Sequence, residues 1–147
     1  MGWQRPRWLV GVLVIVMVLA GCGDPDQKMR SAAAQAARET ASEVNTARLA
    51  VEQLQAGRLW QQPAEQLVKD AEKAVGKAAT TFSSQQPTTD ASRRTYEQVT
   101  DVLDDAETAV TAIRIALGND DLAAAVQQAG QLQKTSDELD RIGELAK

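Results

Sequence analysis

From residue 25 onward, apolar side chains return every three or four positions, the signature of helices that bury one stripe. Ala33, Ala37, Thr40, Val44, Ala47, Val51 and Leu54 mark a first helix over 25–56, with Gly57 as its stop. Arg58-Leu59-Trp60-Gln61-Gln62 makes the turn, and Pro63 suits the first position of a second helix over 63–83. Its stripe reads Ala64, Leu67, Ala71, Ala74, Ala78 and Phe82, flanked by Val68 and Val75. Ser83-Ser84-Gln85-Gln86-Pro87-Thr88-Thr89 is the polar break, because Pro87 disfavours helix at Gln86. The third helix, 90–117, carries Tyr96, Val99, Leu103, Ala106, Val110, Ile113 and Leu117, an unbroken heptad seam. Gly118 ends it, Asn119-Asp120-Asp121 caps the next, and Leu122, Ala125, Ala129, Leu132, Leu139 and Ile142 line a fourth helix over 120–145. Ser136 is the one polar gap in that last stripe.

Four such helices joined by short links predict an all-α, antiparallel, up-down-up-down bundle. Asp24-Pro25-Asp26-Gln27 reads as an N-cap, a proline at the first position, an acidic second position and a capping-box glutamine. Asp90 or a neighbouring threonine caps the third helix. An offset of 61 residues lays Leu49 on Val110, Leu54 on Ile115 and Gly57 on Gly118, which suggests a degenerate hairpin repeat that fades in the second helices. Leu, Ile, Val and Phe make up only about 17% of the residues after position 21, and alanine supplies much of the rest. Alanine favours helix but buries little area, so the helices should be slender and closely packed.

The residues before this region have a different character. Arg5 and Arg7 precede an apolar run from Leu9 to Ala20, too short to span a bilayer, and the run closes on Leu19-Ala20-Gly21-Cys22. This layout resembles a bacterial lipoprotein precursor with its lipobox. The resemblance implies a signal peptide over 1–21, recognition by the peptidase at Leu19, Ala20 and Gly21, and lipidation of Cys22, the only cysteine. Residues 22–147 would then be held at the extracytoplasmic face of the cell membrane. Only Gly23 separates the anchor from the cap at Asp24, so the first helix is expected close to the bilayer, with Lys28 and Arg30 near its head groups. The tips at Arg58-Leu59-Trp60 and Gly118-Asn119-Asp120-Asp121 then point away, and the Gln85-Gln86-Pro87 loop and Lys147 point back.

Charge and chemistry narrow the function classes. From residue 22 on there are 14 basic and 20 acidic residues, a net charge of −6, which gives no electrostatic footprint for nucleic acid. The chain has no histidine. That removes His-activated nucleophiles and the Glu-x-x-His ligands of di-iron bundles. Asp101, Asp104, Asp105 and Glu107 gather on the third helix, where the expectation is a solvated face rather than a metal site. The stretch from Gly118 to Leu139 resembles the last hairpin of periplasmic four-helix bundles such as cytochrome b562. In that family a methionine and a histidine hold haem; Met29 stands in a comparable place, but the fourth helix here has no histidine.

Trp60 is the only tryptophan after position 21. The bland expectation is that Leu59 and Trp60 fold back over the end of the core; the sharper one makes Arg58 and Trp60 an interaction anchor. The functional expectation is a non-enzymatic interaction or accessory module without cofactor, anchored to the membrane and meeting a protein partner. The alternative is a carrier of a small apolar ligand or metal within the bundle.

Overall fold

The computed structural model describes residues 23–147, so the expected signal peptide and Cys22 lie outside the described residues. Four helices follow in order: α1 Pro25–Gln55, α2 Gln61–Ser83, α3 Asp90–Gly118 and α4 Leu122–Gly143. They form the antiparallel four-helix bundle that the periodicity predicts. α1 packs on α2, α4 and, across the diagonal, α3, whereas α2 and α4 stay apart. The composition of α1 explains this. Ala33, Ala34, Ala36, Ala37, Ala41, Ala47 and Ala50 are buried on it, and such short side chains let three neighbours approach one helix. The bulk comes from the opposite side, from Leu103, Ile113 and Leu117 of α3 and Leu132 and Leu139 of α4. Among the described residues, the members of the core cluster run from Met29 to Ile142.

Three cross-links fix the register of α1 against α4. Arg38 Nη1 donates to the Gly143 carbonyl at 2.8 Å, the Ser136 hydroxyl donates to Asn45 Oδ1 at 3.3 Å, and Arg48 hydrogen-bonds Gln133. Each step of seven or three along α1 is matched by the same step backwards along α4. The polar gap at Ser136 is therefore buried and bonded. Gly143, the last residue of α4, sits beside Arg38, ~20 Å along α1 from its start at 1.5 Å per residue. The lower end is built from α1, the 84–89 loop and the start of α3.

That loop is tied on both sides. The Tyr96 ring stacks on Phe82 at 5.5 Å, and its hydroxyl donates to the Ser83 carbonyl at 3.1 Å. Thr89 is the N-cap of α3, in a reciprocal capping box with Ser92, and its hydroxyl also bonds Asp26. At α1, Asp24 Oδ1 accepts from the Asp26 amide at 3.0 Å, and Asp26 rather than the expected Gln27 continues the network.

The helix limits differ from the sequence reading in instructive places. α2 begins at Gln61, with Pro63 in its third position; the amides of a first turn have no intrahelical acceptor, so proline loses nothing there. Its buried stripe is Ala64, Val68, Ala71, Val75, Ala78 and Phe82, a cleaner heptad than the expected one, and Leu67 is left 41% exposed. α3 runs through Gly118, and Asp120 takes the left-handed position (φ 57°) expected of that glycine. α4 is shorter than 120–145, starting after its cap at Asp121 and ending at Gly143. The offset of 61 does not survive in space: Leu49 is 53% exposed, while Val110 is fully buried.

Candidate functional site at the bundle tip

The tip is the end formed by the α1–α2 and α3–α4 connections, and both use the same device. After α1, Gly57 is left-handed (φ 68°); its amide bonds the Leu54 carbonyl at 3.0 Å and the Arg58 amide bonds the Gln53 carbonyl at 2.9 Å. After α3, the Asp120 amide bonds Leu117 at 3.0 Å and the Asp121 amide bonds Ala116 at 2.9 Å. Both are Schellman closures, which satisfy carbonyls that a helix end leaves free. Asp121 then caps α4, its Oδ1 accepting from the Ala124 amide at 2.9 Å. Three residues thus reverse the chain.

The two predicted site residues, Arg58 and Trp60, lie on the first of these connections. The Leu59 amide also bonds the Gln53 carbonyl, at 3.1 Å, which turns the Leu59 side chain onto the core. Trp60 follows in an extended conformation (φ −82°, ψ 157°), so its side chain leaves on the opposite side. It is 84% exposed. The expectation that Leu59 and Trp60 cap the core together is wrong for Trp60: Leu59 does so alone. Arg58 is exposed, its Nε donating to Gln53 Oε1 at 2.7 Å.

Gln61, which sequence reasoning did not single out, holds this turn in place. Its Nε2 donates to the Leu117 carbonyl and to Glu65 Oε1, both at 2.8 Å, and so ties the residue after Trp60 to the end of α3. A large ring is thereby presented on a turn fixed from both sides. No local pattern announces that bond, because it joins residues far apart in the chain.

The one interhelical ion pair among the described residues lies below this turn. Glu72 accepts from Arg114 Nε at 2.7 Å and from the Thr111 hydroxyl at 2.8 Å. Burial pushes the Glu72 carboxyl up, but those two hydrogen bonds and the charges of Arg114 and Lys69 outweigh it and hold it below the usual carboxylate range. Of the α3 acids expected on a solvated face, Asp101, Asp104 and Asp105 are exposed, whereas Glu107 is half-buried. Among the described residues, no group of three or more His, Cys, Asp or Glu is placed to hold a metal ion. An open groove of about 610 Å³ lies between α1 and α2, lined by Ala74, Ala78, Arg38, Glu39, Glu43 and Lys77 among others. No helix among the described residues is long and apolar enough to cross a membrane. Leu19, Ala20, Gly21 and Cys22, the expected processing and lipidation residues, lie outside the described residues. Comparison with family models, with curated proteins and with solved structures found no match to the chain.

Proposed function

We propose that the chain is the precursor of a lipid-anchored, extracytoplasmic helical bundle that acts as a non-enzymatic interaction or accessory module at the membrane surface. The observation that carries the interaction half is Trp60, a large aromatic side chain left in solvent on a turn that Leu59 and Gln61 fix. Exposed tryptophan and arginine on a rigid frame supply contact area at little ordering cost, which is why such residues dominate interface energetics. The anchoring half rests on the lipobox-like Leu19-Ala20-Gly21-Cys22. Together they give a directional module: lipid at the start of α1, contact residues at its far end, about 45 Å away by helix rise.

The test is a photo-crosslinking residue substituted at position 60 in intact cells, with position 86 as the control at the other end. One protein captured repeatedly from position 60 and not from 86 is the expected result. Equal capture from both positions, or none from position 60, would refute the tip as the contact site.

A further inference from the structure

The lower end of the bundle combines several features that the interaction reading does not use. The Lys28 side chain folds back over Gly23, its Cε 2.8 Å and its Nζ 3.6 Å from where a Cβ on that glycine would sit. Its ammonium therefore lies beside the residue that follows Cys22. The bond from Thr89 to Asp26 brings the start of α3, with Arg93 and Arg94, to the same end. Lys28, Arg30, Arg93 and Arg94 are all exposed, and among the described residues none of them forms an ion pair. Two of the four acids in segments 23–36 and 80–100, Asp24 and Asp26, are occupied in capping and cross-linking bonds; Asp90 and Glu97 are the others. This end is neutral overall, with four bases and four acids, while the rest of the bundle carries 16 acids and ten bases.

We propose that this end is a bilayer-facing surface that sets Lys28, Arg30, Arg93 and Arg94 against anionic phospholipid head groups, so that the bundle stands on end. Head-group charge acts over about a Debye length, ~8 Å at physiological salt, so an upright bundle presents only its neutral, cation-bearing end to that field. A bundle lying flat brings the net negative remainder into it. Each of the four cations set against a head group is worth at most about 5-fold in favour of the upright state, the equivalent of ~1 kcal/mol per charge near an anionic surface, and any acid at the same end that comes as close offsets it. The inference rests on the anchor reading for its setting in the cell.

The test uses segment 22–147 coupled through the Cys22 thiol to a maleimide lipid, so that the tether is chemical and does not depend on lipidation by the cell. Trp60, the only tryptophan in that segment, is the donor, and acceptor-labelled head groups report its height. On phosphatidylcholine vesicles containing phosphatidylglycerol at low salt, energy transfer should be lower than on phosphatidylcholine alone. It should rise as salt is added. A combined K28Q, R30Q, R93Q, R94Q variant should lose the difference between the two vesicles. Equal transfer on both vesicles, or a difference in the unaltered protein that salt does not change, would overturn the proposal. If Cys22 is not lipidated in cells, fatty-acid labelling fails while this assay still reads the surface, so the two failures can be told apart.

Discussion

Gly57 and Gly118 look alike in the sequence: each closes an apolar stripe, and the same offset of 61 relates them. The structure separates them. Gly57 is left-handed at φ 68°, whereas Gly118 is the last residue of α3 and keeps a helical backbone. At neither position would an added Cβ meet an atom within 4 Å, so sterics cannot decide the outcome and backbone conformation must. Alanine at position 57 is forced left-handed, a cost of ~1–2 kcal/mol. It also restricts the unfolded chain, which returns ~0.4–1 kcal/mol. The net is a destabilisation of about 1 kcal/mol. Alanine at position 118 meets no such strain, and its better helix propensity stabilises by roughly 0.5–1 kcal/mol. Thermal unfolding of 23–147 followed by far-UV circular dichroism should place the two variants on opposite sides of the parent, each displaced by ~2–5 °C. Shifts of the same sign would refute the assignment of the left-handed turn.

Three further outcomes follow from particular contacts. Trp60→Ala should change stability by less than ~0.5 kcal/mol in urea unfolding, and Trp60 in the parent should emit at long wavelength and be readily quenched by iodide. Blue-shifted, protected emission would contradict its 84% exposure. Thr40 is fully buried and its hydroxyl finds no partner, so Thr40→Val, close in shape, should stabilise by ~1 kcal/mol; a loss of that size would show that the hydroxyl is satisfied. Glu72 has its carboxyl held low, so its ionised form contributes stability that is present above the ordinary carboxylate range and fades as pH falls through the depressed value. Glu72→Gln should therefore be less stable than the parent near neutrality, by under ~1 kcal/mol for a part-exposed pair, with the gap closing in acid. A gap that persists unchanged in acid would contradict this.

What the sequence made legible was the part governed by local spacing. The heptad on α3 needs no partner to be seen, and all its members from Val99 to Leu117 are buried. On α2 the sequence admits two stripes one residue apart: Leu67 and Ala74 fit the spacing almost as well as Val68 and Val75, and only the packed structure selects the valines. The α1–α4 register was not legible: it depends on Arg38, Asn45 and Arg48 finding Gly143, Ser136 and Gln133, and nothing near either set names the other. The fate of Trp60 was hidden for a finer reason. Leu59 and Trp60 are adjacent and both apolar, and only the turn after Gly57 decides which one faces inward. Asp120 shows the same limit, since a left-handed aspartate two residues past a glycine is invisible until the closing hydrogen bonds are known.

The most direct measurement is metabolic labelling of the full-length chain with a traceable fatty acid in a bacterial host, for the parent and for Cys22→Ala. The account predicts label on the parent, a mature N-terminus at Cys22, and neither in the variant. An unlabelled parent, or label that persists without Cys22, would contradict it.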